Sequence, residues 1–185
     1  MKWNDHSKLK DTHAFLSPSN YHWIYYTDEK LETAYNNSEA KVLGVRLHQF
    51  ACEAITLGIN LKKCRKTLNL HVNDAIGYRM KAEQVLYFSE NCYGCADAIG
   101  FDGKILRIHD LKTGDVPGHY EQIYIYAALF CLEYHIDPNT IQFKLRIYQF
   151  NDYTEYEPTA DEIKAIMDVI KHSDSLIFNI KREGE

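Results

Sequence analysis

The sequence predicts an α/β domain, a small mixed β-sheet flanked by helices, and three features carry that expectation. Two apolar runs, Ala96-Asp97-Ala98-Ile99 and Ile105-Leu106 with Ile108, flank a Phe101-Asp102-Gly103-Lys104 turn and read as a β-hairpin. Thr140 to Phe150 alternates, with Ile141, Phe143, Leu145 and Ile147 on one face and Gln142, Lys144, Arg146 and Tyr148 on the other. Around these lie segments with helical spacing, among them Ala40 to Leu57 and His119 to Tyr134. A length of 185 residues is enough for one domain with a full core, so residues 1–185 are expected to form a single domain.

Residues 1–16 are expected to be a loose arm ending in the apolar Ala14-Phe15-Leu16. Ser17-Pro18 is a helix start, with serine as N-cap and proline in the first turn; Trp23, Ile24 and Tyr26 would supply its buried surface. Asn36-Asn37-Ser38 then breaks the chain. The helix from Ala40 to Leu57 carries Leu43, Leu47, Phe50, Ala51 and Ala54 on one side and includes Gly44, His48 and Glu53. Lys62, Lys63, Arg65 and Lys66 concentrate positive charge, with Arg79 and Lys81 following; such a run is either a solvated face or the lining of a nucleic-acid groove. Leu68 to Tyr78 includes a helix, and Ala82 to Phe88, opened by Glu83, is the first strand. Cys92 and Cys95 form a CxxC, half of a zinc site that would need two more ligands, from residues such as His13, His22 or His119.

In the hairpin, Gly103 sits where the turn calls for positive φ. With Asp102 and Gly103 as the two turn residues, Phe101 pairs with Lys104, Ile99 with Leu106 and Asp97 with Ile108. Asp97 is then diagonal to Asp110, roughly 7–8 Å away between backbones. Asp110 and Lys112 are two apart on an extended chain and leave it on one face. Two carboxylates with open water positions make a Mg²⁺ or Mn²⁺ site. A lysine beside them can orient an attacking water and offset charge on a phosphate. On the hairpin alone, the same residues equally describe a charged edge facing solvent.

Thr113 to Gly118 is a loop, and the helix after it is apolar along Ile123, Tyr126, Ala127, Phe130 and Cys131. Gln122 and Tyr126 are four apart and stack on one helix face. Asp137-Pro138-Asn139 is a turn. On the strand from Thr140, Lys144 and Arg146 either meet phosphates or keep an edge soluble. Thr159 with Glu162 is a capping box for a last helix carrying Ile163, Ile166, Met167 and Ile170, and Lys181 to Glu185 is a charged tail.

Composition bounds the function only loosely. The 26 acidic against 21 basic residues give a net charge of -5, which does not advertise a nucleic-acid binder but leaves room for a local basic groove. No apolar run approaches about 18 residues and the first eleven residues are polar, so neither a membrane span nor a signal peptide is expected. Five cysteines fit a reduced, cytoplasmic setting.

Asp97, then Asp110-Leu111-Lys112, then Gln122-Ile123-Tyr124-Ile125-Tyr126, resembles the core of the PD-(D/E)XK nuclease superfamily. The branch it is most similar to is the RecB-like nucleases and related phage proteins, which carry a Gln-x-x-x-Tyr motif after the lysine. Gly44, His48 and Glu53 resemble the Gly-x-x-x-His-x-x-x-x-Glu pattern that precedes the acidic motifs there, and Glu83 resembles the acid that an early element can contribute. The arginine that usually follows the leading serine helix is missing, with Tyr21-His22-Trp23 in its place. The branch that holds an iron–sulfur cluster does not match, because no cysteine follows Cys131.

The resemblance implies a restriction-endonuclease-like core and a Mg²⁺- or Mn²⁺-dependent DNA exonuclease of phage or prophage recombination. His48, Asp97, Asp110 and the Leu111 carbonyl would hold the metal, Glu53 and Glu83 would be accessory, and any second ion would sit about 4 Å from the first. Lys112, Gln122 and Tyr126 would complete the catalytic set with the two aspartates, and Lys62, Lys63, Arg65, Lys66, Lys144 and Arg146 would meet DNA. A single-strand-binding or annealing protein and further copies of the chain are the implied partners. Two alternatives remain open, an inactive nuclease-fold binding or assembly protein and a structure- or site-specific endonuclease.

Overall fold

The computed structural model describes residues 14–183. The chain forms two compact units that divide between Val45 and Arg46. In the first unit, Phe15 packs edge-on against Tyr35 with ring centroids 5.3 Å apart. The expectation for the arm's residues 1–13 lies outside the described residues, as does the zinc reading for His13. Pro18–Tyr25 is a 3-10 helix rather than an α-helix, with no buried residue and a non-helical Asn20. The Ser17 hydroxyl does not cap it; it bonds to the Ser19 hydroxyl at 2.9 Å instead.

Helix α1 (Asp28–Leu57) runs straight through Asn36-Asn37-Ser38, which corrects the expected break. Its start is Thr27, whose hydroxyl accepts the Lys30 N–H at 3.3 Å, with Asp28 and Glu29 in the first turn. Three poor helix formers cost only a few tenths of a kcal/mol each, too little to break a capped helix. The buried side chains of its second half are those of Ala51, Ala54 and Ile55, and Gly44 is buried too; Leu43 and Phe50, expected on that face, are exposed.

In the second unit, α2 (Thr67–Gly77) leads into β1 (Lys81–Ser89), β2 (Cys92–Phe101) and β3 (Ile105–Leu111). Helix α3 (Tyr120–Glu133) crosses to β4 (Gln142–Gln149), followed by β5 (Asp152–Tyr156) and α4 (Ala160–Glu183). The five strands form one mixed sheet in chain order, with β3–β4 parallel and the other neighbours antiparallel. This is a small mixed sheet flanked by helices, a restriction-endonuclease-like α/β topology.

One face packs Leu106, Ile108, Phe143, Leu145 and Ile147 against α3 and α4. The other packs Ala98, Leu111 and Tyr148 against α2 and the end of α1. The capping box is present, with Glu162 Oε2 accepting from the Thr159 N–H at 2.7 Å and the Thr159 hydroxyl accepting the Glu162 N–H at 3.3 Å. Helix α4 continues through Glu183, so Lys181 to Glu183 are helical rather than a tail. Strand β5 was not legible because Asp152–Tyr156 is a short polar edge, exposed along most of its length.

The hairpin register is two residues from the expected one. Phe101 pairs with Leu106, Ile99 with Ile108 and Ala98 with His109. The cause is a longer turn, in which Asp102 Oδ1 accepts the N–H groups of both Lys104 (3.0 Å) and Ile105 (2.8 Å), while Gly103 takes φ +93°. A shift of two keeps every side chain on its face. It moves Asp97 from diagonal to Asp110 to the position opposite it.

Between α2 and the sheet lies a buried polar group of residues that the sequence did not expose. Tyr148 Oη donates to Asp74 Oδ2 at 2.7 Å and lies 3.2 Å from His109 Nδ1, and Arg146 Nη1 donates to Asp74 Oδ2 at 2.9 Å. His71 is buried beside them with neither ring nitrogen hydrogen-bonded among the described residues. Burial pushes His71 down to about 4, and burial above all, with the Arg146 and Arg107 charges nearby, holds His109 well below its ordinary range. Both are therefore neutral in the folded chain, while the unfolded chain protonates them near pH ~6.5. The unfolded state binds more protons below that pH, so stability is full above it and falls as pH drops towards 4. The expected loss is about 1.4 kcal/mol per pH unit for each histidine. Urea unfolding at pH 7.5, 6 and 5 checks this, with His71→Phe expected to flatten the dependence.

Candidate metal and active site

The site lies where β2 and β3 run out from the hairpin. Asp97 of β2 accepts the Leu111 N–H on Oδ2 at 2.7 Å, which ties the two strands together beyond their last ladder pair. Its Oδ1 lies 3.3 Å from Nδ1 of His48, brought in by the last turns of α1. Glu83 is the third member. The β1–β2 ladder has constant register from Lys81 to Tyr87, which sets Glu83 opposite Asp97, yet Glu83 has φ +49° and makes no ladder pair. A non-glycine residue held left-handed inside a strand is strained. The ligand atoms of His48, Glu83 and Asp97 all lie within 4.8 Å of one another.

Beside this cluster runs a second chain of contacts. Lys112 Nζ is 2.9 Å from Oδ2 and 3.2 Å from Oδ1 of the buried Asp110, and donates to Gln122 Oε1 at 2.6 Å. Gln122 Nε2 in turn donates to Tyr126 Oη at 3.3 Å, as the four-residue helical spacing allows. The aligned hydrogen bond from Lys112 goes to Oδ1, so buried Oδ2 of Asp110 has no hydrogen-bond partner among the described residues.

The electrostatics separate the two aspartates. Burial raises Asp97, but the His48 hydrogen bond and charge and the Leu111 N–H outweigh it and hold the carboxyl below its ordinary value. The hydrogen bond to Asp97 raises His48 against the effect of burial. Burial and the nearby Asp97 charge raise Asp110, with Lys112 opposing them. One carboxylate is thus firmly charged at neutral pH, and the other is a poorly solvated acceptor that gains from a nearby cation.

The remaining expected residues are placed as follows. Glu53 pairs with Gln49 Nε2 at 3.0 Å and is not in the cluster. Leu111 is buried next to Asp110. Lys62, Lys63, Arg65 and Lys66 are exposed in the loop before α2, and none forms an ion pair among the described residues. Lys144 pairs with Glu155 and Glu157, and Arg146 with Asp74 and Glu155. Cys92 and Cys95 are three apart on β2 and point to opposite faces, so they do not converge on one zinc ion. Cys95 instead donates its thiol to Glu83 Oε2 at 3.1 Å, and burial with that hydrogen bond pushes the thiol up to about 12.

Comparison with family models, curated proteins and solved structures returned no match. What stands is the geometry. A mixed sheet flanked by helices, with a His/Glu/Asp cluster able to hold a metal ion, is compatible with a nuclease-like fold. No helix among the described residues is long and apolar enough to cross a membrane.

The contact that sets Tyr126 gives a prediction away from the cluster. A Cβ on Gly94 would stand 2.9 Å from Cε1 of the Tyr126 ring, too close for any side chain. Gly94→Ala is expected to displace that ring and loosen Gln122 from Lys112. Any activity that depends on Lys112 should fall by up to about 10²-fold, with the fold intact by circular dichroism.

Proposed function

We propose that the chain is a Mg²⁺- or Mn²⁺-dependent deoxyribonuclease of the PD-(D/E)XK superfamily, of the RecB-like exonuclease branch, acting on phage or prophage DNA. The observation that carries this is the convergence of the His48, Glu83 and Asp97 ligand atoms within 4.8 Å, beside the Asp110–Lys112–Gln122 contacts. The donor set fits the ion, since carboxylates suit Mg²⁺ and Mn²⁺ and the imidazole favours Mn²⁺ of the two, and Asp110 Oδ2, which Lys112 meets at 2.9 Å without an aligned hydrogen bond, offers a further oxygen. The Leu111 carbonyl is the proposed backbone ligand.

A bound divalent ion would polarise the phosphoryl oxygen and acidify a water. Lys112, steadied by Asp110 and Gln122, orients the attacking water and offsets charge on the pentacovalent phosphorane. Tyr126 accepts from Gln122 and so supports the partner that holds the lysine. Lys62, Lys63, Arg65 and Lys66 attract the phosphate backbone. The ion pairs of Lys144 and Arg146 weigh against phosphate contact by those two.

End-labelled linear and covalently closed circular DNA, incubated with Mg²⁺, Mn²⁺ or EDTA, tests the proposal. Metal-dependent loss of linear substrates alone is expected. Cutting of circles would replace the exonuclease with an endonuclease, and DNA binding without cleavage would favour a binding or assembly protein.

A further inference from the structure

The β4–β5 turn is built from Phe150 and Asn151, with φ +54° and +60°. A two-residue hairpin turn with both central residues left-handed favours Asn and Gly. Asn151 suits it; a bulky aromatic at Phe150 is an outlier. Phe150 is also 60 % exposed, so no core packing repays the strain. Strain of this kind, unneeded by the fold, points to a use for the side chain.

Phe150 lines a cleft of about 280 Å³ whose other walls include Leu111, Lys112, Thr113, Thr67 and Asn151. The cleft therefore opens beside the proposed catalytic lysine. Two clamps fix its shape. Asn151 exchanges hydrogen bonds with Thr67 at the start of α2, donating to its hydroxyl at 2.8 Å and accepting its N–H at 3.4 Å. Buried Gln149 donates to the carbonyls of Gly114 (2.6 Å) and Val116 (2.7 Å) and accepts the Gly118 N–H at 2.9 Å, which holds the loop after Lys112. The exposed Lys62–Lys66 run enters α2 directly at Thr67.

We infer that this cleft receives one unpaired nucleotide of the strand being cut, its base stacked on Phe150 and its phosphate next to Lys112. The inference rests on the nuclease reading and adds the substrate class, which is single-stranded or frayed DNA. An aromatic face can stack only on a base whose own face is free, whereas a duplex offers its backbone and groove edges. Stacking of this kind tolerates any base, so it gives strand-state preference without sequence preference.

The test is fluorescence anisotropy of the full chain with a labelled single-stranded oligodeoxythymidylate, a fully abasic oligomer of equal length and a blunt duplex, all in Ca²⁺. The wild type should bind the single strand roughly tenfold more tightly than the abasic oligomer. Phe150→Asn should bind the two alike, and Phe150→Trp should keep the preference. Phe150→Asn should also melt no lower than the wild type, because asparagine suits the turn; a purely structural Phe150 would give the reverse. If Phe150→Asn discriminates as well as the wild type, or if the wild type binds the duplex as tightly as the single strand, the inference falls and the nuclease reading stands. If the wild type binds none of the three, both fall together.

Discussion

Lys112→Ala should lower the single-turnover rate of DNA cleavage by about 10²–10³-fold, the cost of removing one preorganised donor from a charge-developing centre. The side chain's position explains the size of the effect. Its ammonium is held by the buried Asp110 and by Gln122, so on the proposed reading it would meet the phosphate without first being reoriented. Removal also leaves Asp110 unpaired in a buried setting, where its pKa is already raised, so the carboxyl should take up a proton rather than unfold the chain. Lys112→Arg keeps a cation next to Asp110 and serves as the control. It should restore the melting temperature but not the rate, because a planar guanidinium cannot replace an ammonium donor bonded to both partners. A rate in Lys112→Arg close to that of the wild type would mean that only the charge matters.

Asp97→Asn should cost more than the roughly 10–100-fold in metal affinity that loss of an outer partner costs. Asp97 links three things at once: the ligand cluster with Glu83, the His48 imidazole and the Leu111 N–H. The amide can keep one oxygen acceptor for Leu111, so the β2–β3 join should survive while the charge is lost. Isothermal titration with Mn²⁺ reads the affinity, and thermal melting without metal reads the fold. Glu83→Gln should weaken Mn²⁺ binding less, and it leaves an acceptor for the Cys95 thiol.

Much of this site was legible because its residues are close in sequence or spaced by a helix turn. The Asp110–Lys112 pairing follows from a period of two, and the Gln122–Tyr126 contact from a period of 3.6. The capping box at Thr159 was legible for the same reason. What was hidden depended on backbone conformations that side-chain patterns do not encode. The Asp102 side chain lengthens the hairpin turn by binding two N–H groups, and no count of apolar residues registers that. Glu83 enters the cluster through a left-handed backbone in mid-strand, whereas its sequence context suggests only a strand start.

The break expected at Asn36-Asn37-Ser38 failed because local propensity is weak beside a helix already started at Thr27. That start was available in the sequence as Thr27-Asp28-Glu29, a capping residue followed by two acids. His71, His109, Asp74 and Tyr148 come together only through packing of α2 on β3 and β4, across separations no local pattern spans. The basic residues divide in the same way. Lys144 and Arg146 stand on the polar face of β4, but Glu155 of the neighbouring β5, with Glu157 and Asp74, pairs with them there.

Mn²⁺-dependent hydrolysis of an end-labelled linear DNA, followed in parallel for the wild type and Asp97→Asn, tests the metal-dependent nuclease most directly. The expected result is cleavage that rises to saturation with Mn²⁺ in the wild type, stops on addition of EDTA and is lost in Asp97→Asn while the variant stays folded. Cleavage that persists in EDTA, or runs at the wild-type rate in folded Asp97→Asn, would contradict a metal centre built on His48, Glu83 and Asp97.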